Sequence, residues 1–514
     1  MTERRSVALL VAAVGGLVLG ATFAGWIPRL LAPLGVTGLV LSVQGRTARE
    51  SMAAGWCFGL TFMASTVSWM WPSLGVGAWL GLTAVESAWF AGLGLLTAVV
   101  GRLPGWPWWT ATAWTAVEVL RTSWPWGGVP WGRLAFATPD TPWQAMLPWV
   151  GTTGTTFLLA LVGSALAGVV LRARSRPAPY VLVVAAALLA AVMAGVVGPL
   201  GTTGSGSVRV AVVQGGVPGS GKLVVDHHRE ITADHAAETR RLVSGADWAA
   251  GPAAFVLWPE NATAVDPTED AVAEAEVESA VAAAGVPVVV GGVTDGPTST
   301  TARNQLIAWS ATGPGPRYTK QHLVPFGEYV PLRGLATRVS QRVTDIGRDM
   351  VPGPPAAPLP VAGLRLATAL CFDVAYDDVV AGQVRQGADL VTVSTSNAMF
   401  LGTAQLEQQW TISRVRALET GRTVVVASIN GISGAISADG TVQVVLPERD
   451  TESAIVDAEV RDGLTLAVRL GSWPGRAVIA LAAAGLAVAV AGQALKSRKR
   501  PPTVNAIMAT SSGS

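Results

Sequence analysis

Cys371 lies in the stretch LRLATALCFDVAYDD (364–378), where an apolar, alternating run ends in a cysteine followed by acidic residues. The only other cysteine, Cys57, falls within an apolar run. A cysteine attacks a carbonyl carbon as its thiolate, so a catalytic cysteine needs a base or a positive charge beside it. By itself the stretch is compatible with a small apolar residue at a strand end, or with a nucleophile where a strand gives way to a helix.

The four histidines are one source of such a base. His227, His228 and His235 lie in a helical pattern among charged residues, and we expect all three to face solvent. His322 lies in the segment YTKQHLVPFGEYVP (318–331) and stays open as a base. The sequence has no Cys/His spacing typical of zinc sites, so it predicts no metal.

A carboxylate is the alternative base. Glu260 ends the strand pattern AAFVLWPE (253–260), just as Cys371 ends its own. Sites in α/β proteins lie at the C-terminal ends of the strands, so we expect these two side chains to meet there. Taken singly, a glutamate in this position is more often a helix cap or a surface residue, and Lys320 would be a solvated lysine.

The elements that would position these residues lie between 206 and 465, where apolar β-rich runs alternate with helical patterns. Strands are predicted at 208–216, 253–260, 286–293, 304–310, 364–374, 389–396, 423–430 and 453–460. Helices are predicted at 227–245, 268–284, 377–387 and 406–421. Each apolar sheet face needs a covering layer, so the pattern indicates two sheets faced by helices.

Apolar runs dominate the rest of the chain. Of its 514 residues, 50% are hydrophobic and 14% are charged. Runs near the length that crosses a bilayer core of roughly 30 Å recur along the chain. They lie at 7–27, 29–45, 52–71, 75–101, 106–120, 150–171, 179–201 and 474–495. We therefore predict about eight transmembrane helices, seven within 1–205 and one within 466–496, and a basic, disordered cytoplasmic tail at 497–514.

Charge divides the chain in the same way. Residues 206–465 hold 19 basic and 29 acidic residues, a formal charge of −10, and the remainder holds 17 basic and 5 acidic ones, or +12. An acidic domain repels phosphates, which disfavours a nucleic-acid partner. The other basic residues cluster in alternate loops, as cytoplasmic loops do. The domain at 206–465 is therefore predicted to be an insertion on the extracytoplasmic face, although Arg29, Arg121 and Arg133 also fall on that side.

Tryptophan is concentrated early in the chain, where 15 of the 20 tryptophans precede residue 150. An aromatic belt at the level of the lipid headgroups accounts for this pattern. For residues 121–149 a second interpretation stays open, an outer interfacial loop that handles lipid.

The motifs LWPE, YTKQHLVPFGEYVP and ALCFD, in that order, resemble the nitrilase superfamily, whose domain is an α-β-β-α sandwich with a Glu-Lys-Cys catalytic set. With its flanking apolar runs, the chain from 7 to about 495 resembles the membrane-embedded branch of this superfamily, the apolipoprotein N-acyltransferases. HLVPFGEYVP is the most specific piece. The resemblance implies a bacterial plasma-membrane enzyme that transfers an acyl chain from a phospholipid to the N-terminal amine of the diacylglyceryl-cysteine of apolipoproteins, the final step of lipoprotein maturation.

The resemblance also assigns roles to single residues. Glu260 would take the thiol proton, and Cys371 would carry the acyl group as a thioester. Lys320 and the backbone N–H of Phe372 would stabilise the oxyanion, while Glu328 would position Lys320 or the incoming amine. The residues expected to support the site or position the substrate are Glu328, Phe372, Asp373, Trp258 and Tyr329.

Three positions depart from the family's usual pattern. Asp373 stands where a glutamate is typical, and its shorter side chain would move the carboxylate by roughly 1.5 Å, enough to matter in a preorganised site. Met399 replaces a frequent aromatic residue, and Leu223 lies near a frequent tryptophan. The last two bear on lipid contact or loop motion, and hence on donor preference.

No cofactor is implied. The segment GVPGSGKL (216–223) matches a phosphate-binding loop only up to its lysine, because Leu223 stands where a Mg²⁺-binding Ser or Thr is required. We expect a monomer whose partners are the membrane, a phospholipid donor and a diacylated apolipoprotein acceptor. Two alternatives are a nitrilase-like amidase with the same thioester chemistry, and a non-catalytic membrane scaffold for a partner glycosyltransferase.

Overall fold

The computed structural model describes residues 2–199, 201–219, 223–224, 226–331, 333–334 and 347–498. Residues 220–222 of the glycine-rich segment and residues 499–514 of the predicted tail lie outside the described residues.

The first part of the chain is helical, and a helix lies over each of its seven apolar runs. Its helices are α1 (Thr2–Phe23), α2 (Ala32–Val43), α3 (Ala48–Thr66), α4 (Met70–Leu74), α5 (Val76–Val100), α6 (Trp106–Arg121), α7 (Leu147–Arg172) and α8 (Ala178–Val197).

The second part alternates strands and helices before a last long helix. Its elements are β1 (Thr202–Gln214), α9 (His228–Val243), α10 (Ala246–Ala250), β2 (Phe255–Leu257), α11 (Ala271–Ala284), β3 (Val288–Asp295), β4 (Thr301–Ser310), β5 (Gly313–Thr319), β6 (Asp349–Met350), β7 (Leu359–Val361), β8 (Leu364–Leu370), α12 (Asp377–Arg385), β9 (Leu390–Thr395), α13 (Ala404–Thr420), β10 (Val424–Ser428), β11 (Ser433–Ile436), β12 (Val442–Leu446), β13 (Glu452–Gly463), α14 (Leu466–Leu470) and α15 (Trp473–Arg498).

Among the described residues, five helices are long and apolar enough to cross a membrane. They are Glu3–Phe23, Val76–Val100, Pro142–Arg172, Ala178–Val197 and Trp473–Leu495. The helices α2, α3 and α6 fall outside these limits of length or hydropathy, so a crossing by all eight stays a prediction. The helical part is compatible with a membrane-embedded domain.

Small residues let the apolar helices pack closely. A Cβ added at Gly55 of α3 would lie 2.1 Å from the carbonyl oxygen of Phe90 on α5. One added at Gly94 of α5 would lie 2.3 Å from the carbonyl oxygen of Ser51. Glycine is therefore required at both positions, as is common where helices approach each other in a bilayer.

The described strands form two sheets, one of seven strands in the order β13-β1-β2-β3-β4-β5, with β6 beside β4, and one of six in the order β12-β11-β10-β9-β8-β7. The long strands β1 and β13 pair antiparallel from Thr202 opposite Gly463 to Gln214 opposite Glu452. The chain therefore enters and leaves the sheets at neighbouring points.

Both faces of the first sheet are buried. Val210 and Val212 of β1 share a core with Leu366 and Val391 of the second sheet. The alternate residue Ala211 packs in a second core that includes residues of α9 and α11. Two buried faces explain why residues 210–213 of β1 form an unbroken apolar run rather than an alternating one.

The strands β5, β6, β7, β11 and β12 were not predicted from the sequence. The strand β5 has the sequence GPGPRYT, whose glycines and prolines are typical of loops. It forms a strand because it lies at the end of its sheet, where proline costs no hydrogen bond on the open side. The predicted strand at 364–374 is wrong in length, because β8 ends at Leu370.

Candidate active site

Three strands end at the predicted catalytic residues. Glu260 follows β2, Lys320 directly follows β5, and Cys371 directly follows β8. Electrostatic interactions link the Cys371 thiol to Glu260, Lys320 and Glu328, so the fold brings these four residues together. The two sheets thus contribute opposite sides of one site.

Cys371 has a backbone conformation that is unusual for its residue type. Its φ is 49°, in the left-handed region, and it begins the 3₁₀ turn Cys371–Ala375. A non-glycine residue held there costs of order 1–3 kcal/mol, and such strain is concentrated at functional sites. The conformation turns the chain sharply at the strand end, and part of Cys371 stays exposed.

Lys320 is buried between two carboxylates. Its Nζ donates to Oε1 of Glu328 at 2.8 Å and to Oε1 of Glu260 at 3.3 Å. Burial disfavours the ammonium ion, but the charges of Glu260 and Glu328 outweigh it and raise the pKa of Lys320 well above its ordinary value. Lys320 is therefore a fixed positive charge beside Cys371.

Asn304 of β4 completes this cluster, and the sequence analysis missed it. Its Nδ2 donates to Oε1 of Glu260 at 2.6 Å and to Oε1 of Glu328 at 3.2 Å. The other oxygen of Glu260 accepts from the backbone N–H of Ser396 at 2.9 Å. The available signal in the sequence was an asparagine at the start of the predicted strand at 304–310, because asparagine is depleted in strands.

The thiol itself is held in its neutral form. Desolvation raises the pKa of Cys371 to about 12, and the negative charge of Glu260 adds to the rise. Free thiolate is therefore scarce at neutral pH, and a nucleophilic Cys371 needs a base at the moment of attack. Two hydrogen-bond donors, together with Lys320, orient the carboxylate of Glu260, which is the base predicted from the sequence.

Asp373 is hydrogen-bonded to residues on both sides of Lys320 in the chain. Its carboxylate accepts from the Tyr318 hydroxyl at 2.6 Å and from the backbone N–H of His322 at 2.8 Å. Burial raises the pKa of Asp373 to about 6, against the opposing effect of Lys320. Asp373 thus ties the strand end that carries Lys320 to the turn that carries Cys371.

The side chains of the other predicted supporting residues contact different parts of the protein. Phe372 stacks on Trp131, with centroids 6.0 Å apart, and the hydroxyl of Tyr329 donates to the carbonyl oxygen of Trp126 at 3.4 Å. The side chain of Trp258 is fully buried and donates to Thr239 of α9 at 3.0 Å. Trp258 therefore supports the segment of Glu260 from the core.

The expectation that the helix histidines face solvent is wrong for His235. That residue is fully buried, donates from Nδ1 to the carbonyl oxygen of Ile231 at 2.7 Å and accepts the N–H of Gly215 at 3.1 Å. Burial lowers the pKa of His235 to about 4. His322 stacks on Tyr376 with centroids 3.7 Å apart and bonds to Asp378.

Comparisons with known proteins agree for both parts of the chain. The family model described as apolipoprotein N-acyltransferase N-terminal domain matches residues 15–165, and the one described as carbon-nitrogen hydrolase matches residues 209–466. The apolipoprotein N-acyltransferase of Mycolicibacterium smegmatis is 34% identical over 462 residues, covering 85% of this chain and 77% of the relative. The chain belongs to the apolipoprotein N-acyltransferase family.

A second member of the apolipoprotein N-acyltransferase family, from Methylococcus capsulatus, is 29% identical over 96% of this chain and 97% of its own. A CN-hydrolase superfamily protein from Xanthomonas campestris has a solved structure that is 16% identical, covers 53% of this chain and 96% of that chain, and has a TM-score of 0.35. The assignment rests on the family models and the relatives of similar length.

In this member of the apolipoprotein N-acyltransferase family, a partly buried ion cluster joins the helical part to the turn after Cys371. Arg416 of α13 donates to the carbonyl oxygens of Val374 and Ala375, both at 2.8 Å. Asp377 pairs with Arg416 at 2.8 Å and with Arg133, which precedes α7, at 2.7 Å. The charges of the two arginines overcome burial and hold the pKa of Asp377 well below its usual range.

Two of the family-pattern departures lie at the surface. Met399 is 46% exposed and Leu223 is 54% exposed. Trp124 and Trp126 in the tryptophan-rich segment are also exposed, whereas Trp131 and Trp143 are buried. That segment therefore combines exposed aromatic rings with rings that pack into the protein.

Proposed function

We propose that the chain transfers an acyl chain from a phospholipid, through a thioester on Cys371, to the N-terminal amine of the diacylglyceryl-cysteine of apolipoproteins. The observation that carries this proposal is the buried Glu260–Lys320–Glu328 cluster beside a strained cysteine, in a chain that also has membrane-length apolar helices. A lipid donor and a lipidated acceptor both reside in a bilayer, and helices of this length would anchor the enzyme in the same bilayer.

In the first step Glu260 takes the proton of the Cys371 thiol while the sulfur bonds to the ester carbonyl carbon. The oxyanion that forms is stabilised by Lys320 and the backbone N–H of Phe372. The intermediate then breaks its bond to the glycerol oxygen, which receives the proton from Glu260. The products are a lysophospholipid and an acyl thioester on Cys371.

In the second step the neutral α-amine of the acceptor attacks the thioester carbonyl. The same donors stabilise the second oxyanion, and Glu260 carries the amine proton to the departing sulfur of Cys371. An amide bond forms and the thiol is restored. Glu328 holds Lys320 in place through both steps, and Asp373 holds the strand end that carries it.

Topology is part of the proposal. We infer eight membrane crossings, within 1–205 and 466–496, a catalytic domain at 206–465 on the extracytoplasmic face of the plasma membrane, and a cytoplasmic tail at 497–514. Neighbouring ends of β1 and β13 support an insertion between two helices, since a domain inserted into a bundle must return its chain to the bundle. We expect the chain to act as a monomer.

The test supplies the purified protein with phospholipid vesicles and a diacylated lipopeptide, and follows the peptide by mass spectrometry. Unmodified protein is expected to add the mass of one acyl chain to the peptide amine. Cys371→Ser is expected to abolish the gain, with Cys57→Ser as the matched control that retains it. Transfer that survives Cys371→Ser refutes the thioester mechanism.

A parallel assay with small amides, run on the same purified protein, separates the alternatives. Hydrolysis of small amides without transfer to the lipopeptide supports an amidase. Failure of both reactions, by protein whose thermal unfolding shows it to be folded, supports a non-catalytic scaffold.

A further inference from the structure

Gln408 of α13 uses its whole hydrogen-bonding capacity at the junction between the two parts of the chain. Its Oε1 accepts from the indole N–H of Trp131 at 2.6 Å and from that of Trp69 at 3.0 Å. Its Nε2 donates to the carbonyl oxygens of Thr66 at 2.9 Å and Phe23 at 3.2 Å. Phe23 and Thr66 are the last residues of α1 and α3.

The chemistry of the partners fixes the orientation of this amide. An indole nitrogen only donates and a carbonyl oxygen only accepts, so the Gln408 oxygen must face the two tryptophans and its nitrogen the helix ends. Gln408 is 6% exposed, which makes any lost partner costly. One side chain of the catalytic domain thereby holds two helix ends and two indole rings in one arrangement.

Each of the two tryptophans contacts an aromatic residue of a loop at the candidate site. Trp131 stacks on Phe372, which follows Cys371, with centroids 6.0 Å apart and planes 17° apart. Trp69 meets Phe400 edge to face, with centroids 5.1 Å apart. Phe400 ends the short turn that follows β9.

We propose that Gln408 is a positioning residue for the acyl-transfer reaction, which sets the place of Phe372 through Trp131 and that of Phe400 through Trp69. The proposal rests on the proposed function, in which the backbone N–H of Phe372 stabilises the oxyanion. The donor must lie within hydrogen-bond distance of the position where the negative charge develops. The geometry makes that distance depend on the membrane helices, because Gln408 is bonded to their ends.

The test measures kcat and KM of full-length Gln408→Met with phospholipid and diacylated lipopeptide. Methionine keeps the length of the side chain and removes all four hydrogen bonds. We expect kcat to fall roughly 100-fold, since a displacement of about 1 Å in such a site has an effect of that size, while KM stays near its original value. Trp131→Phe keeps a ring for stacking and removes one hydrogen-bond donor. We expect this substitution to lower kcat about 10-fold.

Gln214→Met is the matched control. Gln214 is another buried glutamine, bonded to the carbonyl oxygens of Pro447 at 2.7 Å and Asp450 at 2.9 Å and to the hydroxyl of Ser433 at 2.6 Å. We expect it to lower the unfolding temperature while keeping kcat. If Gln408→Met behaves like this control, with a lower unfolding temperature and an unchanged kcat, the positioning role is refuted.

A double variant tests the connection through Trp131. Once Gln408→Met has released the ring, adding Trp131→Phe is expected to change kcat little, so the two effects should be far from additive. Additive effects, or an unchanged kcat in Gln408→Met, overturn the proposal. Acyl transfer by the unmodified protein tests the proposed function, and an unchanged kcat in Gln408→Met beside an active unmodified protein overturns the inference alone.

Discussion

Lys320→Met is the substitution whose effect the structure defines most sharply. The ammonium ion lies 2.8 Å from Glu328 and 3.3 Å from Glu260, and the lysine is 1% exposed. At these distances each attraction is of order 5 kcal/mol with an effective dielectric constant of about 20, before the cost of desolvation. Removing one partner of a buried ion pair costs about 3–5 kcal/mol of stability. We therefore expect Lys320→Met to lower the free energy of unfolding by about that amount and to abolish acyl transfer.

The pH dependence of this loss has a definite sign. The raised pKa of Lys320 means that its stabilisation is present below the ordinary lysine value of about 10.4 and is lost only at higher pH. Without the lysine, the like charges of Glu260 and Glu328 face each other in one buried site, and this repulsion weakens in acid. The variant should therefore be more stable near pH 5 than near pH 8.

The assay compares thermal unfolding in detergent across this pH range. The double variant Lys320→Met/Glu328→Gln removes one of the two facing charges and should recover much of the lost stability. An unfolding temperature of Lys320→Met equal to that of the unmodified protein at every pH would refute this account. A difference between them that widens toward acid would refute it as well.

Three further predictions concern other buried groups. Glu260→Gln should lower kcat by roughly 10²–10⁴-fold while the protein stays folded, because the Cys371 thiol with a pKa of about 12 then lacks its base, and kinetics of acyl transfer check this. Because the pKa of Asp373 is raised to about 6, the rate of acyl transfer should decline as pH falls through that value. Profiles of kcat/KM against pH should show this decline in the unmodified protein and not in Asp373→Asn. Burial lowers the pKa of His235 to about 4, so its contribution to stability should be complete above about pH 6.5 and be lost as pH falls from there to about 4. The unfolding temperature of His235→Asn should therefore decrease less steeply over this pH range.

The local pattern of the sequence determined most of the elements and the identity of the predicted catalytic residues. Apolar runs specify helices and buried strands because burial depends on residue type and periodicity, which are local properties. The motifs around Glu260, Lys320 and Cys371 could be recognised for a similar reason, since each lies directly after a strand or in a distinctive short segment. The strand β5 was missed because only its pairing with β4 makes a glycine- and proline-rich segment extended.

The partners of these residues were decided by the tertiary structure. Asn304 is bonded to both glutamates, Asp373 to the strand end of Lys320, and Gln408 to tryptophans more than 200 positions earlier in the chain. No local pattern encodes such contacts, because they arise only when separate elements pack and a buried polar group must find a partner. The sequence alone determined which residues could react, and the packing of two sheets against the helices decided what holds them in place.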